Sequence, residues 1–290
     1  MRRNDALIGW LFIAPQVLGF VAFVLWPLVS VFWNSFYSTN LLSGISTFAG
    51  AGNYQQLVTD PVSPTVARVT FFFCIGLVVL NLCLAMALAV LLNQRLRGAT
   101  VFRTIFFSPV VVSLVAWTIV WNFLLQDNGG INSLLQVVGI EGPNWLRGDT
   151  TALVSVIVVQ VIKNVGLNMV LFLAALQGVP RPLLEAAEID GAGPWRRFRS
   201  IVFPMISPTT LLAAIVTVSG SLQVFAQIQI LTGGGPANST NVLVYYFYQQ
   251  AFQNHDFGYG SALAVALFLI ILALTLVQWR MRRRWVFHES

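Results

Sequence analysis

Gln160, Lys163, Asn164 and Asn168 stand in an otherwise apolar stretch at spacings of three, one and four, and Lys163 is the one lysine in the 290-residue chain. On a helix that spacing places all four side chains on one face. Polar groups are costly in hydrocarbon, so such a face turns to a bundle interior or a cavity. Amides, hydroxyls and an ammonium there would offer donors and acceptors to the hydroxyl groups of a passing solute. A second polar group follows at Ser219, Ser221, Gln223, Gln227 and Gln229, and a thinner one at Ser113, Trp117 and Asn122. The competing reading is that the amides join helices through interhelical hydrogen bonds, worth about 0.6 kcal/mol each in a membrane. For Lys163 both a structural role and a solute contact stay open.

Residues for catalysis or metal binding are missing. His255 and His288 both fall outside the apolar stretches, and no His, Cys and carboxylate residues show ligand spacing. The phosphate-cradling pattern G-x-x-x-x-G-K-[ST] is absent, since "GGGPANST" has no lysine. No catalytic residue, metal or cofactor is therefore expected on this chain, and any ATP must be hydrolysed by another. Cys74 and Cys83 share one apolar stretch, where the helical rise separates them by about 13 Å, beyond disulfide reach.

The elements that must carry these residues are membrane helices. The chain is 57% hydrophobic and 9% charged, with a mean hydropathy of +0.78. Stretches of the length needed to cross a bilayer lie at 7–36, 70–92, 105–125, 152–176, 209–231 and 261–278, which predicts an all-α membrane protein with six transmembrane helices. The first is too long for a signal peptide and contains Pro15 and Pro27, so it is read as a retained span. Arginines alternate between loops. Arg2 and Arg3 come before the first span, Arg95, Arg97 and Arg103 after the second, Arg181, Arg196, Arg197 and Arg199 after the fourth, and Arg280, Arg282, Arg283 and Arg284 after the sixth. The other loops hold only Arg68 and Arg147. The positive-inside rule then places both termini in the cytoplasm. Attraction to anionic membrane lipid accounts for the net charge of +6, and no nucleic-acid partner is inferred.

Between the spans, "NYQQLV" at 53–58 predicts a short surface helix. Ile131, Leu134, Leu135 and Val138 predict an amphipathic helix along the membrane surface. The organisation expected is a first transmembrane helix with its outer loop at 1–69, a core at 70–284 and a cytoplasmic tail at 285–290. Within the core, the loop 180–208 gathers three acids and three arginines in "EAAEIDGAGPWRRFRSIVFP". Pro180 and Pro182 suit a first helical turn, and Glu185 and Glu188 lie on one face. Ala186, Ala187 and Ile189 supply tight or apolar faces, and Gly191 is a natural stop. Trp195, Phe198, Ile201 and Val202 then recur at helical spacing, as an interfacial helix leading into the fifth span.

That loop resembles the EAA loop of binding-protein-dependent ABC importer permeases, with Glu185, Ala186, Ala187, Gly191, Ile201 and Pro204 in the places of the pattern and Asp190 and Ala192 extending it. The likeness runs over about 53–284. It is closest to the larger-type sugar permeases of the maltose and glycerol-3-phosphate branch, through "LRGATVFRTIFFSPVVVS", "VIKNVGLNMVLFLAALQGVP" and "ILTGGGPANST". The resemblance implies a type I ABC importer permease fold in the bacterial inner membrane. It also implies that the loop carries a coupling helix seated in a cleft of the ATP-hydrolysing subunit. The implied partners are a second homologous permease, two ATP-binding cassette subunits holding ATP and Mg, and an extracytoplasmic solute-binding protein, with a sugar or oligosaccharide as solute. Gln160, Lys163, Asn164, Leu167, Ser221 and Val224 overlie positions that line the maltose site. The extra spans and large external domain of the maltose member have no counterpart here.

Two other solute or protein classes compete with this reading. An importer of glycerol 3-phosphate or a similar polyol phosphate is favoured if Lys163 neutralises an anion. A secondary transporter or channel should show inverted repeats or an intramembrane carboxylate relay, yet none of the ten acids falls clearly within a span.

Overall fold

The computed structural model of the protein describes residues 3–40, 42, 44–94 and 98–285, with the backbone alone for 3–9 and 281–285. Arg2, Arg95, Arg97, His288 and the tail expected after residue 285 lie outside the described residues, as do the side chains of Arg3, Arg282, Arg283 and Arg284. The elements run α1 (Arg3–Phe20), a π-helical turn (Val21–Leu25), α2 (Trp26–Asn34), β1 (Tyr37–Thr39), β2 (Ser46–Phe48), α3 (Gly52–Thr59) and α4 (Ser63–Leu92). Next come α5 (Ala99–Val111), α6 (Leu114–Leu124), α7 (Gly130–Val137), α8 (Asp149–Gln177), α9 (Arg181–Ile189), α10 (Pro194–Arg197), a second π turn (Phe198–Val202) and α11 (Phe203–Met205). The chain closes with α12 (Ser207–Ser221), α13 (Ala226–Leu231), α14 (Leu243–Tyr248), a third π turn (Gln249–Gln253) and α15 (Phe257–Trp285).

Among the described residues four helical runs are long and apolar enough to cross a membrane, at Trp10–Asn34, Ser63–Leu92, Asp149–Gln177 and Phe257–Arg280; the number rises to six when each of two bent helix pairs counts as one span. The expected third span, 105–125, falls on one of these pairs, α5 and α6, bent by 104°. Pro109 lies inside α5 and supplies no N–H to the Ile105 carbonyl. The Ser108 hydroxyl donates to that carbonyl instead, at 2.9 Å. The expected fifth span, 209–231, is corrected. It ends at Ser221, where the backbone turns, and α13 is a separate helix. Its bent partner is Pro194–Met205, at 69°. The short helices expected at 53–58 and 131–138 appear as α3 and α7. A two-stranded antiparallel hairpin, with Tyr37 paired to Phe48, is a small addition to the helical class.

The chain forms two compact units. One gathers the chain up to Ser63 with Tyr246–Leu269, and its polar centre is Asp60. This carboxylate accepts from the hydroxyls of Tyr246 and Tyr259, the latter at 2.8 Å, and from the Val62 N–H at 2.9 Å. Partial burial would raise the Asp60 pKa, but these donors outweigh it and hold the carboxyl below its usual range. Burial and the adjoining carboxylate push the Tyr246 phenol strongly upward.

The other unit spans Pro64–Tyr245 and the chain from Ile270. Its core packs Ala85 and Ala89 of α4 against Val165, Met169, Phe172 and Leu173 of α8 and Ala213 of α12. Small residues four apart on α4 let the backbones approach, the usual device where apolar burial gives no drive between helices. Still closer is Gly166 on α8, where an added Cβ would lie 2.1 Å from the Phe106 carbonyl oxygen of α5.

Candidate transport path and coupling surface

The Glu185–Gly191 segment forms the helix its sequence predicts. Pro182 sits in the first turn of α9, and after Asp190 the chain reverses at Gly191 with φ +75°. The Gly191 N–H donates to Glu188 O at 3.0 Å and the Ala192 N–H to Ala187 O at 2.9 Å, the paired bonds of a Schellman stop. No residue of α9 is buried, and Ile189 is 87% exposed. Glu185, Ala186, Glu188 and Asp190 are exposed, while Ala187 and Ala192 are half-buried. One side chain ties the helix down: Leu184 packs against the core of α4, α8 and α12. Glu188 pairs with Arg197 at 2.6 Å. Beyond it Trp195 and Phe198 stack, and Val202 and Met205 return to the same core, with Ile201 and Pro204 half-buried between. A small exposed helix is thus tied through Leu184 to the core of three membrane helices, and the chain beyond it returns to the same core at Val202 and Met205.

The polar face of α8 splits by partner. Gln160 is buried and its amide oxygen accepts from Gln227 of α13 at 2.5 Å, which joins two of the three polar groups. Asn168 donates to Asn81 Oδ1 of α4 at 2.5 Å and to Thr217 Oγ1 of α12 at 3.0 Å. Asn81 in turn reaches Val161 O at 3.4 Å. Ser221 is buried, its hydroxyl donating to Val218 O at 2.7 Å with Cys74 Sγ 2.9 Å away, and Val224 is 4% exposed. Asn164 differs: it is half-buried and makes no side-chain hydrogen bond among the described residues, and Leu167 next along the helix is 43% exposed. Gln223 and Gln229 are exposed, and Asn122 donates to Ile230 O at 3.0 Å.

Lys163 is 6% exposed and donates to the carbonyls of Pro109 (2.5 Å), Val112 (2.6 Å) and Val110 (3.3 Å). All three are at the break between α5 and α6. Trp117, on the first turn of α6, lies with its ring centroid 5.9 Å from the ammonium and donates its indole N–H to Val159 O at 3.2 Å. Arg103, in the expected basic loop, likewise donates to the last carbonyl of α4, at Leu92, at 2.6 Å.

Sequence reasoning passed over Asn81, although it is the one amide in the apolar run from Thr70 to Leu92 and was visible as such. It also passed over Thr217, whose role depends on a neighbour 49 residues away. Among the described residues no group of His, Cys, Asp and Glu is placed to hold a metal, and both cysteines are free.

These features, an exposed helix seated on a bundle of bent and straight apolar helices, define a multi-pass membrane protein. Residues 81–285 match the family of binding-protein-dependent transport system inner membrane components, and the chain belongs to it. It is 34% identical over 284 residues to the lactose transport system permease protein LacF of Rhizobium radiobacter, covering 96% of this chain and 95% of that one. Against the sn-glycerol-3-phosphate transport system permease protein UgpA of Pectobacterium atrosepticum the identity is 31% over 289 residues, 99% and 97% of the two chains. The fold matches a chain in the crystal structure of a bacterial alginate ABC transporter in complex with an alginate-pentasaccharide-bound periplasmic protein, with a TM-score of 0.83 at 20% identity over 97% and 96% of the chains. The protein is an all-α, multi-pass permease of the bacterial inner membrane, a subunit of a solute-binding-protein-dependent importer.

Proposed function

We propose that this chain imports a neutral sugar or oligosaccharide together with a homologous second permease, two ATPase subunits that hold ATP and Mg, and an extracytoplasmic solute-binding protein. ATP is hydrolysed on the partners, and α9 faces the cytoplasm as the coupling helix. The observation that carries the coupling role is the exposure of α9 everywhere but at Leu184 and Ala187, with Leu184 packing on the core shared by α4, α8 and α12. A push on α9 then reaches three membrane helices through packed side chains.

For the solute, Lys163 supplies the main support. Its ammonium has three N–H donors and three carbonyl partners, so the α8 face offers a passing solute the uncharged Asn164 amide and the Leu167 surface. Gln160, Ser221 and Val224 shape the path from behind. An uncharged face fits hydroxyl groups better than a phosphate, although relatives carry both kinds of solute in their names. The test is ATP hydrolysis by the assembled complex with its solute-binding protein, across neutral mono- and disaccharides and sn-glycerol 3-phosphate. Stimulation by a sugar is expected; stimulation by the phosphate ester alone would overturn the neutral-solute reading.

A further inference from the structure

We infer that Lys163 is a positioning residue that locks the two halves of the broken third span, α5 and α6, to α8, so that the three helices move as one body when the coupling helix moves. Three contacts on α8 carry this. Val159 O accepts from Trp117 of α6, Lys163 donates to carbonyls at the end of α5 and at Val112 just after it, and Gly166 admits the Phe106 backbone. Positions 159, 163 and 166 are spaced by four and three, so they form one stripe along α8.

The chemistry explains why a lysine belongs in that stripe. A helix that stops inside hydrocarbon leaves its final carbonyls short of the backbone N–H groups of the next turn, and that end carries a partial negative charge; at the end of α5 Pro109 O takes one such bond, from the Val112 N–H at 3.2 Å. An ammonium answers both needs at once: its three donors reach Pro109, Val110 and Val112, and its charge opposes the dipole of α5. The Trp117 ring adds a contact from the α6 side of the break. Helix α8 ends at Gln177 and α9 begins at Arg181, so three residues separate the rail from the coupling helix. Motion of α9 passes along α8 and, through Lys163, to both halves of the third span.

The inference rests on the coupling role proposed for α9, and its test is independent of which solute is carried. Spin labels at Thr104→Cys on α5 and Val120→Cys on α6, in a Cys74→Ala, Cys83→Ala background, report the distance across the break in the assembled complex by pulsed electron resonance. With Lys163 present, one narrow distance distribution is expected, the same without nucleotide and with ATP trapped by vanadate. Lys163→Met should broaden it and make it nucleotide-dependent, and Lys163→Arg, which keeps charge and donors, should restore the narrow one. A general loss of stability would not create a nucleotide-dependent distance. If Lys163→Met does not assemble, Lys163→Gln, neutral and shorter, carries the same expectation. An unchanged narrow distribution in the neutral variant, in both nucleotide states, would overturn the clamp while leaving the importer assignment intact.

Discussion

Asn164 and Asn168 differ by one helical turn yet do opposite things. Asn168 bridges α4 and α12 through Asn81 and Thr217, whereas Asn164 has no side-chain hydrogen-bond partner among the described residues. Replacing Asn168 with Leu leaves the Asn81 oxygen and the Thr217 hydroxyl short of a donor inside the bundle, at a cost of about 1–3 kcal/mol. Its thermal unfolding midpoint in detergent should fall by several degrees. Asn164→Leu removes no such bond, so its stability should change by under about 0.5 kcal/mol while uptake by the assembled importer drops. Normal uptake by Asn164→Leu would move the solute path away from this face. From sequence, the spacing of Gln160, Lys163, Asn164 and Asn168 showed that they share a helix face. It could not show their partners, because Gln227, Asn81 and the carbonyls after Pro109 lie 50 or more residues away in the chain.

The long apolar runs were legible because a helix that crosses a bilayer needs about 20 apolar residues, and composition alone displays that. The bends were not. Proline and serine are tolerated within membrane helices when neighbours satisfy the freed carbonyls, so Pro109 did not announce the 104° turn between α5 and α6. The helix Arg181–Ile189 was legible residue by residue, since prolines, paired acids and a terminal glycine are local signals, whereas its coupling role comes only from the loop's resemblance to the EAA pattern. Gly191 shows where that local reading needs amending. At φ +75° a side chain is strained, by about 1–2 kcal/mol, but an added Cβ would meet nothing within 4 Å on this chain. Under the proposed coupling role, any crowding comes from the ATPase subunit docked there. Gly191→Leu should abolish uptake and weaken ATPase association in a pull-down, while the solute-binding protein keeps its affinity for solute. Normal uptake with normal association would reduce the loop to a basic anchor.

Across the molecule, charge and apolarity are segregated. Apolar helices meet lipid, amides join helices inside, and the acids of 185–190 stand on a helix that buries nothing. The first span is the extreme case, apolar over Trp10–Asn34 with no buried side chain. Under the proposed reading such a chain transmits work, and the hydrolysis that drives it takes place on its partners. The most direct measurement is ATP hydrolysis by this chain, purified free of contaminants, beside the same chain assembled with its ATPase, second permease and solute-loaded binding protein in lipid vesicles. The chain alone should hydrolyse none, and the assembly should hydrolyse ATP at a rate raised several-fold by the loaded binding protein. Hydrolysis by the isolated chain, or an assembly indifferent to the binding protein, would contradict its role as the coupled permease.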